Sequence, residues 1–510
     1  MYIRCFSGAL SGIDAITITI EVNIINGDKF FIVGLPDNAV KESEQRVKAA
    51  FENSKFKLSE QEITINLAPA NVRKEGSYFD LPIAVAILAA TSHITNYPIF
   101  DECMIMGELS LDGSLQPIKG ALSMAMQARN DGLKRFILPK SNASEAAMIS
   151  GIEVIGVESL SEVVGYLNNN ISITPTKPKE YIYDYDDTEK VLDDFSDVKG
   201  QEGIKRVLEI AAAGGHNVLM IGSPGSGKTM LAKRMGSILP SMTIAEAIET
   251  TRIHSVAGKT GSGDGLLTKR PFRSPHHTVS NIAIVGGGTS PQPGEVSLAH
   301  NGILFLDELP EFGRSVLEVM RQPLEDRVIN ISRAKYTVRY PANFMLIASM
   351  NPCPCGYYTH PDKECTCSHA DRRRYMNKIS GPLMDRIDLQ IEVMPVSFDE
   401  LTTKKKGETS REIRLRVEAA RKRQIERFKD EGIHSNSMMN SAQTEKYCCL
   451  DKEATMILKM AVERLGLSAR AYDRVLKMSR TIADLAGEDN ILTKHITEAI
   501  QYRTIDRDNW

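Results

Sequence analysis

Apolar and polar residues alternate through AITITIEVNI (residues 15–24) and EITINLAPA (62–70), the period-two pattern of a half-buried strand. DLPIAVAILAATS (80–92) is apolar throughout and predicts a buried helix, while KRFILPKSN and IEVIGVESL predict short strands of an α/β layer. All periodicity stops in NNNISITPTKPKEYIYDYDD (168–187), which is rich in Asn, Pro and acids and predicts a linker. A second α/β pattern starts near Val191. The last 70 or so residues read as helices. In RAYDRVLKMSRTIADLAG, residues Tyr472, Val475, Leu476, Ser479, Ile482, Ala483 and Ala486 keep helical spacing, and Arg470, Arg474 and Lys477 lie on another face. A chain of 510 residues is too long for one core, so two to four domains are expected.

Composition changes this picture little. The net charge of −3 announces no polyanion partner, although residues 400–429 carry eleven Lys/Arg against five acids. Such a stretch is either a polyanion footprint or a solvated helix face. MYIRCFSGAL has no charged-then-apolar signal pattern, and no apolar run reaches the roughly 18 residues that span a bilayer. The expectation is a cytoplasmic protein without a membrane partner, where clustered cysteines favour metal or redox roles over disulfides.

The candidate chemistry begins at NVLMIGSPGSGKTMLAKRM. An apolar strand, Val218–Ile221, runs into Gly222, Ser223, Pro224, Gly225, Ser226, Gly227, Lys228 and Thr229, and a helix follows: the full P-loop pattern in strand–loop–helix context. Its backbone N–H groups and helix N-terminus suit the phosphates of ATP, Lys228 the β/γ-phosphates, and the Thr229 hydroxyl Mg²⁺. GILFLDELPEF ends a strand in Asp307, expected to hold Mg²⁺, and Glu308, expected to polarise the attacking water. A third strand, NFMLIASMN, ends at Asn351, where a polar group would position that water. GPLMDRIDLQIEV places Arg386 before a fourth strand, either as an arginine finger for a neighbouring subunit or paired with Asp385 or Asp388. Arg470 heads a C-terminal helix from which it would contact the nucleotide.

These motifs resemble an AAA+ ATPase of the branch that holds the magnesium-chelatase ATPase subunit and the MCM helicases. DVKGQE, RPFRSPHHT, GGGTSPQPGEVSLAHNGILFLDELPEF, NPCPCG, GPLMDRIDL and LSARAYDRVLKMSRTIADLAG are similar to the magnesium-chelatase-like bacterial family called YifB or ComM, over nearly the whole chain. The resemblance implies Asn351 as sensor 1, Arg386 as the arginine finger and Arg470 as sensor 2, with Arg474 as the alternative. It implies a homo-hexameric ring that moves along single-stranded or branched DNA, a helicase or branch-migration factor working beside recombination proteins in recombination or natural transformation. A metal-insertion ATPase like the chelatase subunit, an ATP-dependent peptidase and a regulatory AAA+ module are the alternatives. MIMGELSLDGSLQPIKGAL resembles the peptidase domain of Lon, an S5-like fold. There the nucleophile position falls at Tyr78 or Phe79 and the lysine position at Leu122 or Ser123, so the Ser/Lys dyad is missing unless Ser77 and Lys119 form an offset one.

The expected architecture is a multidomain α/β protein. It has a Lon-like (ribosomal S5 domain 2-like) α+β domain at 1–168, non-proteolytic, and an acidic linker at 169–190. A P-loop AAA+ αβα core follows at 191–405 and a C-terminal helical lid at 406–510. Within the core, residues 254–288 read as a pore insert whose Lys269, Arg270 and Arg273 would meet DNA phosphates, and His276 and His277 contact phosphate or bases or cap a turn. RVINISRAKYTVRYPANF reads as a hairpin with Arg333 and Lys335 at its turn, also aimed at DNA. Residues 352–369 form a Cys-rich insert in which Cys353, Cys355, Cys365 and Cys367 are spaced C-x-C, nine residues, C-x-C. Four thiolates can enclose a structural Zn²⁺, with His360 or His369 able to replace one; unliganded thiols and a redox or Fe–S role are the other readings.

Overall fold

A computed structural model of the chain describes residues 1–57, 61–179, 193–261, 265–288, 291–333, 336–358, 360–396, 400, 402 and 407–503. It divides into two compact units. The first comprises Met1–Ile182, Ile244–Leu267 and Ser332–Tyr340, and the second Tyr183–Thr243, Thr268–Ile331 and Pro341–Trp510.

The first unit is built on a seven-stranded mixed sheet: β1 (Tyr2–Ser11), β2 (Asp14–Asn26), β3 (Phe30–Val33), β4 (Gln61–Ala68), β5 (Cys103–Ile105), β6 (Arg135–Pro139) and β7 (Glu153–Val157), in the order β3-β4-β2-β1-β5-β6-β7. β1 and β2 form a long antiparallel pair from Tyr2↔Asn23 to Ser11↔Asp14, and β5, β6 and β7 add in parallel. The period-two pattern of β2 buries Ile18, Ile20 and Val22 on one face. Every residue of the helix Asp80–Ala90 is buried, which is why its sequence has no polar face. The part of the expected linker within the described residues packs on this unit: Thr176 N–H donates to Val154 O at 2.8 Å, and Ile173 lies against the core. The acidic stretch 180–190 lies outside the described residues.

The expected pore insert is corrected at its start. Residues 254–256 finish a helix, Ile244–Val256, that belongs to the first unit; its Arg252 donates to Ile13 O at 3.0 Å. A segment without apolar periodicity hid this docking, because the contacts include polar ones: Gly120 N–H donates to Ser255 O, and Thr260 donates to Glu145. The hairpin is present as the paired strands Val328–Arg333 and Tyr336–Pro341; Lys335 lies outside the described residues.

The second unit carries a five-stranded parallel sheet: β8 (Val218–Ile221), β9 (Phe272–Arg273), β10 (Ile303–Leu306), β11 (Met345–Met350) and β12 (Leu389–Glu392), in the order β9-β10-β11-β8-β12. β8, β10 and β11 are buried along their whole length, as central parallel strands covered on both faces must be. Strand order reverses around β8, so the carboxyl ends of β8, β10 and β11 open one crevice. Phe272 and Arg273, expected in a pore loop, form the edge strand β9 beside β10. The C-terminal helices do not form a core of their own. Val417, Ala420, Val475, Ile482 and Ile496 belong to the same hydrophobic cluster as Val207, Leu208 and Val218, so 407–503 and the ATPase sheet share one interior. Among the described residues no helix is long and apolar enough to cross a membrane.

Candidate active site

The loop Gly222–Gly227 leaves β8 and enters the helix Lys228–Ile238. Gly225 and Gly227 take φ of +82° and +91°, the left-handed region that lets successive N–H groups face inward. A Cβ on Gly225 would meet nothing within 4 Å, so open space lies above the loop. The Ser223 and Ser226 hydroxyls are buried without a partner. Lys228 is buried, and its Nζ donates to Gly222 O (2.7 Å), Ser223 O (3.0 Å) and Asn351 Oδ1 (3.3 Å). Burial lowers the Lys228 pKa, and the charges of Asp307 and Glu308 oppose that shift. The ammonium thus meets three oxygens of this chain at the mouth of the loop.

Thr229 Oγ1 donates to Asp307 Oδ2 at 2.8 Å, bringing together the hydroxyl and carboxylate expected at Mg²⁺. This set of hard oxygen donors suits Mg²⁺. Ser349, level with Asp307 on the neighbouring strand, donates its hydroxyl to Asp307 Oδ1 and accepts the Glu308 N–H. Glu308 leaves the strand at φ 55°, and its half-exposed carboxylate lies 3.8 Å from His277 Nδ1. The two histidines therefore separate: His276 Nδ1 meets the Thr278 hydroxyl at 2.9 Å and caps a turn, while His277 faces Glu308. Ser349 precedes Asn351 by two residues, a strand-face signal present in the sequence; His277 had no such signal.

Arg386 and Arg470 sit elsewhere. Asp388 N–H donates to Asn217 O and Asn217 N–H to Asp388 Oδ2, so the turn carrying Arg386 lies at the amino ends of β8 and β12. The four-residue strands put roughly 13 Å between that edge and the P-loop edge. Arg386 is buried and donates to Pro382 O (2.7 Å) and to the Glu325 carboxylate, rather than pairing with Asp385 or Asp388. Arg470 Nη2 lies 3.9 Å from the other Glu325 oxygen, and Arg474 pairs with buried Asp388. Burial alone would raise the Asp388 pKa, but Arg474, His216 and the Asn217 N–H hold it far below the usual carboxylate range. Arg470 and the alternative Arg474 share the edge of Arg386, opposite this chain's own P-loop. Glu325, in RQPLEDR, carried no signal in the sequence and was missed.

The Cys-rich insert follows Asn351. Cys353, Cys355, Cys365 and Cys367 place their sulfurs within 4.8 Å of one another, with Cys353 at 3.2 Å from Cys355 and 3.7 Å from Cys365. A tetrahedron with 2.3 Å Zn–S bonds has S···S edges of about 3.8 Å, so the four thiols fit the group. His360 Nδ1 instead accepts the Asp362 N–H, and neither it nor His369 joins the cluster. Gly356, inside the insert at φ +85°, packs on the P-loop: a Cβ there would lie 2.6 Å from Pro224 Cδ and 3.9 Å from Asn351 Cγ.

The cations assigned to DNA divide. Arg270 donates to Pro240 O (2.6 Å) and Asn301 O (2.7 Å), and Arg273 pairs with Glu295 at 2.6 and 2.8 Å, so both serve the fold. Lys269 is exposed, and Arg333 closes its strand. In the first unit the offset peptidase dyad does not form. Ser77 donates to Glu108, and Lys119 packs its Cε against Gly258. Tyr78 is hydrogen-bonded to the backbone of Leu10; Phe79 and Leu122 are fully buried, and Ser123 donates to Ile13 O at 2.5 Å.

A parallel sheet with a P-loop after one strand, paired carboxylates after the next but one and a polar residue after the strand between defines a P-loop nucleoside-triphosphatase core of the AAA+ type. Residues 194–401 match the family model for magnesium chelatase, subunit ChlI, residues 20–142 that for subunit ChlI of Mg-chelatase, and residues 407–503 that for the C-terminal part of the same subunit. The chain is 43% identical over 501 residues to the YifB protein of Escherichia coli (strain K12), covering 98% of this chain and 96% of the relative. It is 43% identical over 511 residues to competence protein ComM of Haemophilus influenzae, covering 98% and 97%. A shorter stretch is 30% identical over 113 residues to the peroxisomal Lon protease homolog 2 of Caenorhabditis elegans, covering 21% of this chain and 14% of that protein. The chain belongs to the YifB/ComM family of magnesium-chelatase-like AAA+ ATPases.

Proposed function

We propose that this chain is one subunit of a homo-hexameric, ATP-driven DNA motor, a cytoplasmic helicase or branch-migration factor acting in recombination or natural transformation. The observation that carries the reading is the division of the hydrolytic groups. Lys228, Thr229, Asp307, Glu308 and Asn351 gather at one edge of the sheet, and Arg386 and Arg470 lie at the other. A single chain then binds ATP without completing the site, and the arginines serve the next copy in a ring. Lys228 and the loop N–H groups hold the phosphates, Thr229 and Asp307 would hold Mg²⁺, and Glu308 orients the attacking water. Mg²⁺, when bound, neutralises charge developing on the β- and γ-phosphates. Arg386 supplies charge to the γ-phosphate of the neighbouring site. DNA as substrate is supported by the name of the ComM relative, a competence protein, and by exposed Lys269 with Arg333 and Lys335 as candidate phosphate contacts. The four thiolates hold a structural Zn²⁺ that stiffens an insert with little apolar core.

The test is ATP turnover with and without forked or three-way DNA, together with branch migration on labelled junctions. Stimulation and strand movement are expected; a rate indifferent to DNA would sink the DNA assignment. Alanine at Arg333 and Lys335 together is expected to weaken DNA binding and reduce its salt slope by about 2. A chelatase-type subunit driving metal insertion is the second reading, favoured by the names of the matched models; stimulation by a porphyrin-chelatase partner would select it. The peptidase reading is disfavoured by Ser77 bonding to a carboxylate instead of a lysine.

A further inference from the structure

Glu325 ends the helix Arg321–Asp326 and divides its carboxylate between two arginines from separate elements. One oxygen accepts from Arg386 in the turn before β12, and the other lies 3.9 Å from Arg470 in the first turn of the helix Ala469–Leu485. Stability does not explain this arrangement. Arg470 and Glu325 are each more than half exposed, and an ion pair of that length and exposure contributes little. A cation in the first turn of a helix also opposes the helix dipole. Among the described residues the Arg386 Nε is buried without a partner, so this guanidinium is held short of its full hydrogen bonding. Two arginines converging on two oxygens of one carboxylate is also the geometry with which guanidinium groups clasp a phosphate.

We infer that Glu325 is a positioning residue that stands in for phosphate, holding Arg386 and Arg470 together so that both meet the γ-phosphate of ATP bound to a second copy of this chain. This rests on the between-copies reading given above. Without the carboxylate, two like charges repel and Arg386 keeps only the Pro382 carbonyl. Glu325 touches no group of its own P-loop, so its effect falls on turnover at the neighbouring site.

The experiment dopes wild-type protein with copies whose own P-loop is disabled by Lys228→Ala, alone or combined with Glu325→Gln or with Arg386→Ala. ATP turnover is read with MgATP at fixed total protein, with melting temperature as the folding control. The Lys228→Ala/Glu325→Gln dopant is expected to lower turnover at adjoining wild-type sites roughly tenfold relative to Lys228→Ala alone, a fraction of the 10³–10⁵ that a completed arginine finger supplies. Glu325→Gln by itself is expected to lower kcat with KM for ATP unchanged, and to add nothing once both Arg386 and Arg470 are alanine. If the Arg386→Ala dopant matches Lys228→Ala alone, the between-copies reading fails and the role of Glu325 falls with it. If the Arg386→Ala dopant acts but the Glu325→Gln dopant leaves turnover equal or higher, the reading stands and the positioning role is overturned.

Discussion

Replacing Gly356 with alanine tests the contact between the cysteine insert and the nucleotide loop. Two costs arise. Gly356 has φ +85°, where an L-residue is strained by roughly 1–2 kcal/mol. The new Cβ would also stand 2.6 Å from Pro224 Cδ and 2.9 Å from Pro224 Cγ. Reaching the 3.4 Å of ordinary contact requires a shift of 3.4 − 2.6 = 0.8 Å against a ring whose φ is fixed. Overpacking of this kind costs typically 1–3 kcal/mol. The cysteine side is braced by Gly356 N–H on Cys353 O and by four converging sulfurs, so the P-loop is the part that yields. If about 2 kcal/mol of this falls on the nucleotide-bound state, ATP and ADP both bind roughly 30-fold more weakly. Gly432, at φ +68° with nothing within 4 Å of an added Cβ, isolates the strain: Gly432→Ala is expected to lose stability without losing affinity. Fluorescent-nucleotide titration with melting curves on both variants reads the result. Unchanged affinity in Gly356→Ala, at an unchanged melting temperature, would refute the contact.

Glu308→Gln is expected to keep nucleotide affinity while kcat falls about 10²–10⁴-fold, because Lys228, Thr229 and Asp307 are untouched; titration beside single-turnover hydrolysis separates the two. Asp388→Asn leaves Arg474 facing no carboxylate and is expected to cost about 3–5 kcal/mol in urea unfolding. Since the folded pKa of Asp388 is depressed, its contribution is fully present above the unfolded carboxylate value of about 3.9 and is lost only as pH falls further, through the folded value; the deficit of the variant should therefore be flat from about pH 5 to 8 and shrink in acid. Elemental analysis of purified protein should return close to one Zn per chain. Its removal by a chelator should expose four titratable thiols and lower the melting temperature; metal-free protein with the same melting temperature would defeat the zinc assignment.

The P-loop edge was legible because Asp307, Glu308 and Asn351 follow buried strands within one or two residues and Lys228 closes a glycine-patterned loop directly after another, so the local pattern gave position as well as identity. Lys228, Asp307, Glu308 and Asn351 needed only three apolar runs and the rule that parallel strands open at their carboxyl ends. The cysteines were legible as a cluster by spacing alone. Partners distant in the chain were not. Arg273 looked available because Glu295, which neutralises it, lies 22 residues on in a segment without periodicity. The role of Glu325 depends on Arg386 and Arg470, which follow it by 61 and 145 residues. The C-terminal helices were legible by their amphipathic faces, but the cluster they complete around Val207 and Val218 was not.

The two edges of the sheet assign different work to one chain and to an assembly. Every group that would grip phosphate or hold Mg²⁺ comes from elements converging on β8, β10 and β11 of the same chain, so on the proposed reading nucleotide affinity belongs to the monomer. The arginines that would complete the transition state lie roughly 13 Å away across the sheet, fixed there by Asp388, Glu325 and the shared core. On the proposed reading, turnover would depend on a neighbour while binding would not. A division of this kind would let a ring stay loaded with ATP and fire only where two copies are correctly seated, so that movement of one subunit against the next would set the timing of hydrolysis. The cysteine insert, which begins beside Asn351 and presses Gly356 on Pro224, adds a third element to the loading side, and so bears on how tightly nucleotide is held before a neighbour arrives.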